Sequence, residues 1–173
     1  MYLRYLFAFC ISLAFLSPSS SLYGEENTGA NGVEVIDMQF NESQEITTGK
    51  KGSISIQVEN IKNTNGRIAI ALYNSEDGFP EKPEIAYALA HTSINGTSRA
   101  VVIENIPYGT YALSILHDEN ENNTMDKTWI GKPKEGFGSS NNPKIRFRAP
   151  KFEEAGFVLD SEELSIAINM KYL

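Results

Sequence analysis

Ten consecutive residues, 117–126, read His-Asp-Glu-Asn-Glu-Asn-Asn-Thr-Met-Asp and form the stretch of this sequence richest in oxygen donors. Asp118, Asn120 and Asn122 alternate, so a tightly wound loop turns their side-chain oxygens toward one point and leaves Glu119 and Glu121 facing away. Thr124 adds its backbone carbonyl, and Asp126 a carboxylate or a water-mediated contact. Calcium takes six to eight oxygens in flexible geometry, and these residues meet the first nine places of an EF-hand-like loop. The sixth place, normally Gly, holds Asn123, which tolerates left-handed backbone at modest cost. The twelfth holds Trp129 in place of a closing Glu, so the shell needs Glu135 to fold back and complete it. Five groups with two charges predict weak affinity, in the ~10⁻⁴ to 10⁻³ M range of extracellular modules. The same pattern has a metal-free reading, in which Asp and Asn side chains cap their own backbone in Asx-turns. Both readings stay open, and Ca2+ held by Asp118, Asn120, Asn122, Thr124, Asp126 and Glu135 is an expectation for the structure to meet.

Other chemistry is sparse. His91 and His117 are the only histidines, and no spacing joins them to a carboxylate as zinc would require. Each reads as a partly buried strand residue or a loop anchor. No serine stands in a strand-to-helix Gly-x-Ser-x-Gly setting, and Glu153 and Glu154 read as solvated surface. With no nucleophile paired to a base, the expected function is a non-enzymatic binding or accessory module. The rival is an enzyme of unknown class using His117 and Asp118 with Glu135. A purely structural accessory domain is a third reading. Residues 129–142 make a long loop carrying Trp129 and Phe137. Long loops on β-sandwiches often bind something, and the unbound ligand or envelope partner is expected at 117–142. The plainer expectation is that both rings pin the loop onto the sheet.

The elements that position these residues are strands. Ile54, Ile56 and Val58 share one face while Ser53, Ser55, Gln57 and Glu59 share the other, the period of a half-buried strand. A turn at 63–66 leads to Ile68, Ile70 and Leu72, and the pair is expected to form a hairpin. Residues 74–84, with Gly78, Pro80 and Pro83, cannot lie inside a sheet, and 85–93 reads as strand or short helix. Asn95-Gly96 suits a type I′ turn and predicts a second hairpin into 100–106. A tight turn at 107–111 re-enters a strand at 111–116, and 145–148, 156–159 and 164–172 complete the strand set. The predicted fold class is all-β, an antiparallel two-sheet β-sandwich of about seven strands.

The N-terminus has a single charge, Arg4, an apolar run over 6–16 and a small-residue stretch over 17–24, the layout of a secretory signal. Eleven apolar residues are too few for a span of about 20, so no membrane span is expected. The predicted organisation is a signal peptide at 1–24, a polar and flexible leader at 25–49 with an extra edge strand near Val35, and a β-sandwich at 50–173. The only cysteine, Cys10, leaves with the signal, so the mature domain has neither disulfide nor thiol chemistry. Removing Arg4 from the 15 basic side chains leaves 14 against 22 acidic ones, a formal charge of −8. That balance makes nucleic acid and anionic membrane surfaces poor partners. The expected location is extracytoplasmic.

Several blocks carry a family resemblance: Pro107-Tyr108-Gly109-Thr110-Tyr111-Ala112, His117-Asp118-Glu119-Asn120, Asp126, the Gly131 to Asn142 stretch and Pro150-Lys151-Phe152-Glu153-Glu154-Ala155. Over about 52–173 the chain resembles the exported bacterial family called domain of unknown function 2141. That family favours Gly near 121 and 123, where this chain has Glu121 and Asn123. The resemblance implies an extracytoplasmic β-sandwich, similar to transthyretin-like and carboxypeptidase-regulatory-like domains, and supplies no activity.

Overall fold

Alternating apolar residues become strands because one face must leave water while the backbone keeps its hydrogen bonds. In the computed structural model, which describes residues 33–41, 49–144 and 148–173, this gives ten strands, one 3-10 turn and one short helix. The strands are β1 (Glu34–Ile36), β2 (Gln39–Phe40), β3 (Lys51–Glu59), β4 (Arg67–Tyr73), β5 (Ala88–Ser93), β6 (Ser98–Pro107), β7 (Gly109–Asp118), β8 (Gly136–Ser139), β9 (Phe157–Leu159) and β10 (Glu163–Asn169). Helix α1 is Phe152–Ala155, and the 3-10 turn is Pro83–Ile85. The signal region and most of the leader lie outside the described residues, as do 145–147 of the strand expected at 145–148.

One sheet runs β1-β6-β3-β10 and the other β2-β5-β4-β7-β8, with β9 beside the first half of β7. Most pairs are antiparallel, whereas β1 on β6 and β10 on β3 are parallel. The fold is therefore the expected two-sheet β-sandwich, with parallel strands added at both edges of one sheet. Ile54, Ile56, Val58, Val101 and Ile103 from one sheet meet Ile68, Ile70, Leu72, Leu113 and Ile115 from the other in a single core. A smaller cluster, Ala71, Tyr73 and Ala86 with Phe79, Leu89 and Phe152, caps the outer face of the second sheet. Arg99 of β6 clamps the sheets by reaching both Glu34 of β1 and Thr92 of β5.

Both expected hairpins are corrected. β3 and β4 belong to opposite sheets, and so do β5 and β6, so the turns at 63–66 and 95–96 are arches across the sandwich. Alternation tells which face of a strand is apolar, and an arch or a hairpin satisfies that face equally. The segment left undecided at 85–93 divides into the 3-10 turn and β5. Strand β8 falls within the stretch expected as loop, and part of the leader supplies β1 and β2. Among the described residues, no helix is long and apolar enough to cross a membrane.

Candidate functional site

β7 ends by pointing His117 into the sandwich and Asp118 to the outer face, and both are fully buried. The chain then coils around Asp118, whose Oδ1 accepts the Asn122 N–H at 3.0 Å and whose Oδ2 accepts the Asn123 N–H at 2.9 Å. Two Asx-turns follow in step. Asn120 Oδ1 accepts the Asn122 N–H at 3.2 Å, and Asn122 Oδ1 accepts the Thr124 N–H and hydroxyl at 2.8 and 2.9 Å. The winding is tight enough to place Glu121 at φ 59° and Asn123 at φ 64°, left-handed backbone that favours Gly. Asp126 closes the coil by accepting from the side-chain amides of Asn120 at 2.9 Å and Asn122 at 3.4 Å.

Glu135 does fold back. Its carboxylate, nearly buried, accepts the Glu119 N–H through Oε1 and the Asp126 N–H through Oε2, both at 2.9 Å, and so staples the two ends of the loop. The structure thus gathers Asp118, Asn120, Asn122, Thr124, Asp126 and Glu135 in one place. Sequence reasoning missed Arg67 and read His91 as a strand residue or loop anchor without joining it to this loop; β4 and β5 carry the two to the same rim. Arg67 Nε stands 3.6 Å from Asp118 Oδ2, and its Nη2 donates to Asn123 Oδ1 at 2.7 Å. His91 Nε2 meets the same Asn123 oxygen at 3.1 Å. Burial first, and then the Arg67 charge, hold the His91 pKa below its ordinary value. Pairing of β4 to β5 and β7 makes these neighbours, a register that local sequence does not carry.

As donors to a cation these groups are already engaged. Asn120 and Asn122 turn N–H bonds, not oxygens, toward Asp126, and a guanidinium lies beside Asp118. Among the described residues, no group of three or more His, Cys, Asp or Glu side chains is arranged to hold a metal ion. The set, as arranged, does not fit calcium without turning both amides. What it does chemically is give partners to backbone N–H groups of a loop that has no helix or strand bonds of its own.

His117 is an anchor. Its Nε2 lies 2.8 Å from the Asn65 carbonyl, which can only accept, so the ring carries its proton there. Nδ1 lies 2.7 Å from the Tyr172 hydroxyl, and that hydroxyl accepts the Lys62 N–H at 3.0 Å. The Tyr172 ring occupies the space beside Gly136, where a Cβ would sit 2.3 Å from it. One histidine thereby ties the 60–66 arch to the C-terminal segment.

Between Asp126 and Glu135 the chain makes a small hairpin. Lys127 and Pro133 form a β-bridge, Thr128 N–H donates to Lys132 O at 2.7 Å, and Gly131 N–H donates to Thr128 O at 2.9 Å. At its tip Trp129 is 96% exposed and Ile130 66%. The expectation that Trp129 pins the loop is corrected: Phe137 packs half-buried in β8, while the pinning is done by Glu135 and by a Lys127 to Glu81 ion pair at 2.7 Å.

The family model for uncharacterized proteins conserved in bacteria, DUF2141, matches residues 56–167. The chain belongs to this family. The DUF2141 match begins inside β3 and ends inside β10, so it takes in the Asp118 coil, its Glu135 staple and the Trp129 hairpin. Neither the curated proteins nor the solved structures yield a match.

Proposed function

We propose that this DUF2141 chain is an exported, non-enzymatic module that binds a component of the cell envelope, or a small ligand, through the loops at 117–142. The observation that carries the reading is Trp129. Leaving so large a ring in water forgoes on the order of 3 kcal/mol of burial, and the protein holds it out on a braced hairpin. Bracing lowers the ordering cost of association, which is what a binding element needs. The alternative, catalysis by His117 and Asp118, loses support from their commitments: both ring nitrogens and both carboxylate oxygens hold structural partners in a buried setting. Export is supported by the signal-type N-terminus.

The test follows the full chain in an expressing bacterium. The exported product should begin near residue 25 on N-terminal sequencing, and osmotic shock should leave wild-type protein with the envelope while releasing Trp129→Ala. A product beginning at Met1, or identical retention of the two proteins, would overturn the corresponding half of the proposal.

A further inference from the structure

We infer that the Trp129 hairpin inserts into the headgroup layer of a phospholipid bilayer that carries anionic lipid, an inference that rests on the binding reading above and names its partner. The tip offers two adjacent exposed apolar residues, Trp129 and Ile130, and interfacial binding grows with the apolar area that can be buried in the headgroup layer. Tryptophan is the side chain most at home at the membrane–water boundary, where its ring meets lipid and its N–H meets water.

Charge complementarity selects the bilayer over a protein pocket. Lys132 and Lys134 are exposed in the hairpin, Lys127 at its base is paired with Glu81, and residues 127–134 contain no acid. The carboxylates of Asp118, Asp126 and Glu135 accept N–H groups of the coil, and that of Glu81 is neutralised by Lys127. An acidic protein therefore presents a basic, apolar point. Protein interfaces are depleted in lysine at their centres, whereas lysine near anionic headgroups is attractive over about a Debye length. The overall charge, which argued against anionic surfaces when averaged over the chain, here keeps the remaining faces off the membrane and orients the sandwich tip-down. The brace matters as well, because Thr128, Gly131 and Lys132 close the turn through backbone bonds and leave the two apolar side chains outside it.

Trp129 is the only tryptophan in the sequence, so its fluorescence reports the tip and nothing else. Protein purified after export is mixed with vesicles of phosphatidylcholine alone or of phosphatidylcholine with phosphatidylglycerol. With the anionic vesicles, the emission should shift to the blue, aqueous quencher should lose access, and protein should co-sediment. Trp129→Ala should abolish sedimentation, and Lys132→Glu with Lys134→Glu should weaken it at least about tenfold. These residues are exposed, so circular dichroism and melting should match wild type in every variant. Unshifted emission, sedimentation that survives Trp129→Ala, or binding indifferent to anionic lipid and charge reversal would each overturn the inference. If vesicles fail while envelope retention still depends on Trp129, the binding reading stands and its partner is an envelope protein.

Discussion

Replacing Asp118 by Ala separates the two ways its loop can be held. The carboxylate accepts two N–H bonds, from Asn122 and Asn123, at 3.0 and 2.9 Å, and it faces Arg67 Nε. Hydrogen bonds to a charged group contribute roughly 1.5 to 3 kcal/mol each. Asn122 and Asn123 are exposed, so water recovers part of that loss, and the pair together should account for about 2 to 4 kcal/mol. In a domain of this size that is a fall of roughly 10 °C in Tm. The assay is thermal melting by circular dichroism, run on wild type and variant in millimolar calcium and in chelator. The self-bonded loop predicts the same fall in both buffers and a wild-type Tm that calcium leaves alone. A calcium ion bound only by the folded state would instead add roughly 1 to 2 kcal/mol at several to tens of times its Kd. A calcium-dependent rise in wild type that Asp118→Ala removes would refute the reasoning and place the ion in the loop. An unchanged Tm for the variant would refute it too, because the two bonds would then contribute nothing.

Gly66→Ala should lower stability by more than about 3 kcal/mol, since Gly66 lies at φ +64° and a Cβ there would sit 2.0 Å from the Asp118 carbonyl oxygen. A urea midpoint equal to wild type would mean the arch is not built as described. Tyr172→Phe should cost about 1 to 3 kcal/mol, because it removes the hydroxyl that joins Lys62 to His117 and leaves the buried His117 nitrogen unpaired. A melting curve matching wild type would remove His117 from its anchoring role. Burial raises the phenol pKa of Tyr73, Tyr87, Tyr111 and Tyr172, that of Tyr111 to about 12. These phenols keep their protons in the folded state after the unfolded chain has begun to lose them near pH 10, so their stabilisation is complete below pH 10 and is lost as pH rises toward about 12. Phenolate absorbance and circular dichroism should therefore change together in that window, and free titration near pH 10 with the fold intact would contradict it.

The strands were legible because alternation is written locally. Ile54, Ile56 and Val58, or Ile68, Ile70 and Leu72, announce both the element and its buried face. Which strand pairs with which is not local, and the Asn95-Gly96 turn shows the difference, since four residues suffice to carry the chain from one sheet to the other. β8 was hidden for another reason. Gly136 and Gly138 look like loop residues, yet they are small because Tyr172 and Ile168 lie where their side chains would be. The candidate site divides in the same way. The coil from Asp118 to Asp126 is contiguous and its Asx-turns follow from the spacing, whereas Arg67 and His91 arrive through strand register. The exposure of Trp129 was not legible at all, because an aromatic ring in a long loop gives no sign of the direction it faces.

β10 lies parallel to β3 with Glu163 opposite Ser53 and Asn169 opposite Glu59, a pairing that spans most of the domain. Until those residues arrive, β3 has β6 on one side and bare backbone on the other, and Ile168 and Met170 are missing from the core. Closing so long a loop carries an entropic penalty that the contacts of β10 with β3 and with the core must offset. The domain is therefore one cooperative unit, in which residues 51–162 by themselves leave an edge of β3 unpaired until β10 docks.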